Sequence, residues 1–160
     1  MNLSQALVRN LFDYHDGQLV RKVSMGRGKA GDVAGSIGSN RYLQLQINKR
    51  KYYVHRIVFL WHHGYLPELL DHIDGNPLNN RIENLRLATP AENIWNARTP
   101  KTNTSGAKGA SWHKKSSKWQ VRICINSKEK HIGLFEDFEL AELVAIMARE
   151  KYHGDFAKHF

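Results

Sequence analysis

The sequence predicts an α+β protein built from two small modules, and three observations support this. Residues 42–47 alternate between apolar and polar side chains, which is typical of a half-buried strand, and residues 56–62 then change to helical spacing. Residues 118–125 alternate strictly, and an amphipathic helix is expected over residues 138–152. Between the two patterns, residues 99–106 are polar and contain proline and glycine, which predicts a linker.

The N-terminal pattern predicts a β-rich basic segment over residues 1–53. A turn and short strand are expected at 17–20, and a glycine-rich loop with a hairpin at 26–38. The strand at 42–47 turns at 48–50 and returns along 51–54. The helix that follows should end at Gly64, which makes His62 and His63 residues of a helix end rather than metal ligands.

The composition is that of a folded and strongly basic protein. Its 160 residues are 41% hydrophobic and carry a formal net charge of +9. This excess indicates a polyanionic partner, because lysine and arginine that neutralise phosphates release counterions; a solubilising surface is the alternative. The single cysteine, Cys124, excludes an intrachain disulfide and a Cys-x-x-Cys zinc site. With no signal-like N-terminus and no apolar run of membrane-spanning length, we expect a cytoplasmic protein.

The positive charge is concentrated in the two flanks of the chain. Residues 1–53 contain nine basic and three acidic residues (+6), residues 54–98 contain four and five (−1), and residues 99–160 contain eleven and seven (+4). Oxygen ligands of a metal favour a locally non-cationic setting, whereas phosphate contacts need the reverse. The layout therefore favours a central metal site between two regions that bind nucleic acid.

The most informative residues are 71–93. Two predicted strands, 69–73 and 85–88, flank a polar loop rich in asparagine. Thr89 is then an N-cap, Pro90 occupies the first helical position and Glu92 completes a capping box, so Asn93 lies in the first turn of a helix. This order of elements allows Asp71 and Asn93 to approach each other, and their oxygens suit Mg²⁺ or Mn²⁺.

These residues resemble the HNH endonucleases of phages and intron-encoded homing enzymes. The resemblance implies a ββα-metal nuclease core, a double-stranded DNA substrate and one divalent ion, Mg²⁺ or Mn²⁺. It implies that His72 is the general base that activates water, that Asp71 and Asn93 bind the metal, and that Asn84 braces the loop and orients the His72 imidazole. The motif residues that carry it are Asp71-His72, Asp74-Gly75-Asn76, Asn84-Leu85-Arg86 and Glu92-Asn93.

The C-terminal residues resemble the apetala or ethylene-response-factor DNA-binding domain, through residues 105–113, 118–123, 131–135 and 152–157. The resemblance implies a three-stranded antiparallel sheet that enters the major groove, with one helix behind it. Ser111 and Glu129 stand where the plant proteins usually have arginine, so plant target preference is not carried over. Trp112 and Trp119 are expected to be mostly core. The residues expected to face the groove are Ser111, His113, Gln120, Arg122 and His131. Those expected to hold phosphates are Lys108, Lys114, Lys115 and Lys118.

The sequence therefore predicts a β-rich segment at 1–53, a nuclease core at 54–98, a linker at 99–106 and a DNA-binding domain at 107–160. One site per chain indicates a homing-type or phage endonuclease that nicks DNA as a monomer, in the host cytoplasm if a phage encodes it. The alternatives are a DNA-binding regulator with an inactive nuclease domain and a structural-zinc protein, which the lack of paired cysteines disfavours. Other assignments stay open. His55 is a buried buttress or a contact of the substrate or of the site residues, Asn79 and Asn80 are turn formers rather than ligands, and Asn96 touches the site or DNA or neither.

Overall fold

The computed structural model describes residues 3–97, 99 and 102–159, and the chain divides into two compact units, Met1–Ala88 and Thr89–Phe160. The mixture of helices and small antiparallel sheets confirms the α+β class. The predicted domain boundaries stay a prediction, and three residues beside or within the predicted linker, Arg98, Pro100 and Lys101, lie outside the described residues. Within the described part of the chain, no helix has the length and apolar character needed to cross a membrane.

The described residues of the first unit form three small antiparallel sheets and two α-helices. Sheet pairing follows the order β1–β2, β3–β4–β5 and β6–β7. A 3₁₀ turn at Ile82–Asn84 precedes the last strand. The elements in chain order are α1 (Gln5–Leu11), β1 (Phe12–His15), β2 (Gln18–Arg21), β3 (Ser36–Ile37), β4 (Leu43–Ile47), β5 (Arg50–Tyr53), α2 (Val54–His63), β6 (Leu70–His72) and β7 (Leu85–Leu87).

The core of the first unit forms around α2. The apolar spacing predicted for this helix buries Ile57, Val58 and Leu60, and Gly64 ends it with a φ of 83°, as expected. Leu45 and Ile47 of β4 are buried on the same core, while Gln46 between them is exposed, which is the alternation expected of a one-sided sheet. The strand β4 is therefore held in place by packing against α2.

The N-terminal helix and the strand after it were not predicted. Ser4 caps α1 by accepting a hydrogen bond from the Leu7 backbone N–H, and α1 buries Val8 in the core. A helix of seven residues is too short for its hydrophobic periodicity to be distinguished from that of a strand. β1 then joins the predicted strand β2 in a hairpin, with Asp16 and Gly17 in the turn at φ angles of 47° and 87°.

In the second unit, the residues that the structure describes form one sheet and two α-helices. The sheet is antiparallel in the order β10–β9–β8, and α4 packs across one face, where Val121, Ala141 and Ala145 are buried. Asp137 caps α4 through the Leu140 backbone N–H and Gly154 follows the helix, as expected. A 3₁₀ turn at Gly154–Phe156 follows. The elements are α3 (Pro90–Trp95), β8 (Ala110–His113), β9 (Lys118–Ile125), β10 (Lys128–Phe135) and α4 (Phe138–His153).

One feature of the second unit differs from expectation. Trp112 was expected to be mostly core, and this is wrong: it lies on the edge strand β8, packs edge-on against Trp119 at 5.2 Å and remains 48% exposed. In the predicted linker, Asn103 and Ser105 are tied to the unit by hydrogen bonds to the carbonyl of Ala107, and Ser105 also donates to the carbonyl of Ala110.

Candidate active site

The centre of the candidate site is the strand pair β6–β7 and the loop that joins the two strands. Asp71 lies opposite Arg86 and His72 opposite Leu85 in the antiparallel register. Asp71 and His72 are only 6% and 5% exposed, although both side chains are polar. Buried polar groups are costly without partners, so their contacts decide what the site can do.

The His72 imidazole is held by the side chain of Asn80. Its Nε2 lies 3.0 Å from Asn80 Oδ1, and Asn80 is 2% exposed. An amide oxygen only accepts hydrogen bonds, so in the neutral ring this contact places the proton on Nε2 and the basic lone pair on Nδ1. Asn80 was expected to be a turn former, and its loop position offered no sequence signal for this contact.

Asn84 was expected to brace the loop and to orient the imidazole. The first role is observed: its Nδ2 donates to Asp74 and to the carbonyl of Asn79, and its Oδ1 accepts from the backbone N–H of Asp74. Both amide hydrogens of Asn84 are engaged in the loop, whereas the Asn80 amide contacts the imidazole, so the orienting role of Asn84 stays a prediction. Asn84 therefore acts on the position of the loop backbone.

Asp74 is the acceptor around which the loop closes. Its carboxylate accepts from the Asn76 backbone N–H at 2.7 Å and from Asn79 Nδ2 at 2.8 Å. Burial alone would raise the pKa of the Asp74 carboxyl, but the hydrogen bonds from Asn79, Asn76 and Asn84 hold that pKa below its ordinary value. The loop is thus fixed by an ionised carboxylate at neutral pH.

Asp71 is paired with Arg86 across the two strands. Arg86 Nε and one terminal nitrogen lie 2.9 and 2.8 Å from Asp71 Oδ2. The pair is largely buried, with side-chain exposures of 16% for Arg86 and 6% for Asp71. Arg86 belongs to the predicted motif but had no predicted contact, although the two predicted strands could have indicated that residues 71 and 86 lie opposite each other.

The rings of His55 and Tyr42 lie beside the His72 imidazole and Tyr53 packs against both of them, and we call Tyr42, Tyr53, His55 and His72 the aromatic cluster. His55 meets His72 edge-on at 5.1 Å, Tyr53 stacks on His55 at 5.4 Å, and Tyr42 lies 5.9 Å from His72. Burial, followed by the nearby His72 and Arg56, lowers the pKa of His55 to about 3. His55 is thus an uncharged neighbour of His72, and the expectation that it is buried is confirmed by its 7% exposure.

The N-terminal hairpin β1–β2 supports the loop that carries Asn80. Tyr14 Oη accepts a hydrogen bond from the Ile82 backbone N–H at 3.0 Å, and Arg81 donates to Asp16 at 2.5 Å. At Gly17, a Cβ would lie 2.8 Å from the Arg81 backbone nitrogen. Glycine is therefore required at this position for two reasons: its φ angle is positive, and the backbone of Arg81 leaves no room for a Cβ.

The oxygen donors proposed for a metal are chemically suitable. Asp71 offers a carboxylate and Asn93 an amide, which are hard ligands of the kind that Mg²⁺ and Mn²⁺ prefer. Among the described residues, no group of three or more His, Cys, Asp or Glu side chains forms a potential metal cage. The predicted capping box of Thr89 and Glu92 at the start of α3 is confirmed. Asn93 follows it on the same helix, in the second unit, and its side chain is exposed.

The residues expected to face the major groove share the sheet face opposite α4. Ser111 is paired with Gln120 and His131 with Arg122, while the intervening Val121 is buried against α4. Arg122 donates to Gln120 and contacts Glu129 at 3.2 Å. His113 contacts Ser116, Lys118 pairs with Glu136, and Lys114 and Lys115 are exposed.

Lys108 has a different role from the predicted phosphate contact. Its Nζ donates to the carbonyls of Trp95 and Ala97, at 2.8 and 2.6 Å, and so satisfies the end of α3. Burial, with the nearby Arg149 and Lys158, lowers the pKa of Lys108 to about 8. Trp95 also stacks on His153 at 4.4 Å. Lys108 is therefore engaged within the second unit, which disfavours a contact with DNA phosphates, and that assignment stays a prediction.

Comparison with known proteins gives consistent results. Residues 52–94 match the family model described as HNH endonuclease. Protein 3.8 of Escherichia phage T7 is 47% identical over 91 residues, which cover 56% of this chain and 73% of that protein. A protein named as an uncharacterized HNH endonuclease of Acanthamoeba polyphaga mimivirus is 36% identical over 110 residues, covering 67% of this chain and 56% of the relative.

A third relative is a prophage-derived protein of Bacillus subtilis, whose name includes the words HNH homing endonuclease. It is 42% identical over 50 residues, covering 30% of this chain and 29% of that protein. The chain thus spans little more than half of the mimivirus relative and less than a third of the Bacillus one. No solved structure matches the chain.

Proposed function

Because the chain belongs to the HNH endonuclease family, we propose that it hydrolyses phosphodiester bonds of double-stranded DNA with His72 as the general base. The observation that carries the proposal is the contact between His72 Nε2 and the buried Asn80 Oδ1. It directs the basic lone pair of the ring to Nδ1 and fixes the plane of the ring. General bases of this kind contribute about 10²–10⁴-fold in rate.

The chemistry assigned to His72 is the removal of one proton from an attacking water. The proton passes to Nδ1 while the water oxygen forms a bond to phosphorus and one P–O ester bond breaks. The His55 ring beside it stays uncharged at neutral pH, with a pKa of about 3, so it adds no positive charge that would oppose protonation of His72. The aromatic cluster also excludes water from one side of the imidazole.

We assign Asp71 as a metal ligand, and its burial beside His72 supports the assignment. A divalent ion held there would stabilise negative charge on the phosphoryl oxygens and on the departing oxygen. Arg86, on Asp71 Oδ2, fixes the carboxylate and balances its charge in the interior. Asn93 stays a sequence-based prediction as the second ligand.

We propose further that the chain nicks one strand per site as a monomer, in the manner of homing and phage endonucleases, and that the second unit binds duplex DNA through the face carrying Gln120 and Arg122. The ion pair of Arg122 with Glu129 is exposed, with side-chain exposures of 47% and 67%. Pairs of this kind contribute at most about 1 kcal/mol. Arg122 is thus easily released to a guanine, a contact that provides roughly 1–3 kcal/mol of discrimination.

Nicking of supercoiled plasmid by the full chain tests the proposal. Wild-type protein should convert the plasmid to the open circle with Mg²⁺ or Mn²⁺ and should lose this activity in EDTA. His72→Ala should retain DNA binding and lose at least about a hundredfold in rate. Asp71→Ala should be inactive at any practical metal concentration, and Asn93→Ala tests the second ligand. Cutting in the presence of chelator would rule out the metal-dependent mechanism, and binding without cutting by wild type would instead favour a DNA-binding regulator.

A further inference from the structure

A groove of about 490 Å³ runs along the outward face of the β3–β4–β5 sheet in the first unit. This is the face opposite the core, because Leu45 and Ile47 are buried while Gln46 points outward. The volume lies within the range of roughly 300–1,000 Å³ that is typical of ligand clefts. We call it the sheet groove. Its polar lining consists of Arg21, Asp32, Ser36, Gln44, Gln46 and Lys51.

The cations of the sheet groove are placed by the fold. Lys51 is the cross-strand partner of Gln46, so both side chains lie on the outward face. The Arg21 guanidinium lies 6.0 Å from the Phe12 ring, and its Nε would be 2.4 Å from a Cβ at position 28, where the chain has glycine. Glycine at position 28 therefore leaves room for the observed position of the Arg21 side chain, which would have to shift if a Cβ were present.

The acidic residue in the lining is already engaged. Asp32 accepts a hydrogen bond from the Lys29 backbone N–H at 2.7 Å. The sheet groove suits an anionic ligand with many oxygen acceptors. Its lining offers two cations and three neutral polar side chains, and its one carboxylate is already hydrogen-bonded. Val33 and Ile37 add exposed apolar surface to the lining, but the two cations favour an anionic ligand over an isolated divalent cation.

The sheet groove leads to the candidate active site. Gln44 is paired with Tyr53 in the register of β4 and β5, and Tyr53 stacks on His55, which touches His72. Asn40 links the same residues, because it donates to Tyr53 Oη and accepts from Gln44 Nε2. Lys51 is two residues from Tyr53, a step of about 7 Å along the strand. That step corresponds to about two nucleotides of rise in duplex DNA.

We propose that the sheet groove binds the sugar–phosphate backbone of the cleaved DNA strand, next to the scissile phosphate. Lys51 and Arg21 contact phosphate oxygens, and Gln44 and Gln46 hydrogen-bond to the same backbone. The inference rests on the proposed nuclease function for the identity of the scissile phosphate. It gives the N-terminal segment a direct part in substrate binding, separate from the sheet of the second unit.

A matched pair of variants tests the groove. Lys51→Gln removes one positive charge inside it, and Lys22→Gln removes one from an exposed residue that pairs with Asp13 and does not line it. Duplex binding is measured with the full chain carrying His72→Ala, at a series of salt concentrations. Lys51→Gln should flatten the slope of log K against log salt by about 0.9. In the active protein it should raise KM several-fold while kcat at saturating DNA changes less than twofold. Lys22→Gln should leave slope and KM as in the wild type.

Cross-linking locates the contact directly. Gln46→Cys in a Cys124→Ser background, labelled with a photoreactive group, should cross-link to the cleaved strand within a few nucleotides of the cut. The same label on Lys22→Cys should cross-link poorly. Equal slopes and KM values for Lys51→Gln and Lys22→Gln, or equal cross-linking at positions 46 and 22, would overturn the groove proposal and leave the nuclease function standing. Wild-type protein that binds but does not nick would overturn the nuclease function, while the salt slopes would still decide whether the groove binds DNA.

Discussion

The contact between Asn80 and His72 predicts a separation between activity and stability. In Asn80→Ala, the buried Nε2–H of His72 loses its acceptor, and an unsatisfied buried donor costs about 1–3 kcal/mol. However, the Asn80 Nδ2 atom itself has no hydrogen-bond partner among the described residues, so the substitution also removes a penalty of similar size. We expect the free energy of unfolding to change by about 1 kcal/mol or less, and kcat to fall about 10–100-fold, because the imidazole is no longer oriented.

Asn80→Asp gives a readout that a merely structural residue would not affect. A carboxylate in place of the amide would stabilise the protonated imidazole, because an opposite charge at hydrogen-bond distance favours the charged form. The general base must be unprotonated, so the acidic limb of the pH–rate profile should move to higher pH. A movement of one pH unit corresponds to about 1.4 kcal/mol of added stabilisation of the protonated ring. Nicking at neutral pH should therefore be slow and should recover as the pH rises.

Asn76→Asp is the matched control, because it adds the same charge at an exposed position of the same loop. The aspartate also keeps the side-chain oxygen that accepts a hydrogen bond from the Leu78 backbone N–H. The profiles are measured as single-turnover nicking rates across pH, with thermal melts of each variant. An Asn80→Asp profile that coincides with those of wild type and Asn76→Asp would refute the argument that Asn80 acts through the imidazole. Loss of folding together with loss of rate in Asn80→Ala would reduce its role to structural support.

Three further outcomes follow from the contacts of individual residues. Gly17→Ala should destabilise the protein and lower kcat in nicking assays, because the added Cβ would lie 2.8 Å from the backbone nitrogen of Arg81, the residue next to Asn80. Asn10→Ala, at an exposed position, should change neither the stability nor kcat. Lys108→Met should lower the melting temperature and leave the salt slope of DNA binding unchanged, whereas Lys115→Met should reduce that slope by about one. As the pH falls below about 6.5, His55 becomes protonated in the unfolded chain but not in the folded chain, where its pKa is about 3. The free energy of unfolding should therefore fall by up to about 1.4 kcal/mol per pH unit. His55→Phe should flatten this pH dependence, which urea titrations measure.

Local signals in the sequence were enough to predict the elements that hold the site. The alternation of β4, the apolar spacing of α2 and the caps at Thr89 and Asp137 each depend on neighbouring residues alone, and all four are observed. The pairing of Asp71 and His72 with the returning strand follows from the same local pattern. The HNH motif then supplied the residues but not their contacts.

Contacts between distant residues were not predictable in the same way. Asn80 and Asn84 are chemically identical, and only the folded loop decides which amide meets the imidazole, since Asn84 is drawn to Asp74. Lys108 looked like a phosphate contact because it is a lysine in a basic stretch, yet its partners are carbonyls 13 and 11 residues earlier. Trp112 has the position in its strand that predicts burial. However, its strand β8 lies at the edge of the sheet, so neighbouring residues cover Trp112 only in part.

The loop and the hairpin explain why the N-terminal segment belongs to the catalytic unit. A loop fixed by Asp74, Asn79 and Asn84 alone would define its own shape but not its distance from His72. The hairpin adds that constraint from outside, because Tyr14 binds the Ile82 backbone and Gly17 lies against Arg81, the residue next to Asn80. A shift of the hairpin would therefore move Asn80 relative to the imidazole. The same hairpin supplies Arg21 to the sheet groove, so the orientation of the general base and the proposed grip on the DNA backbone depend on one structural element.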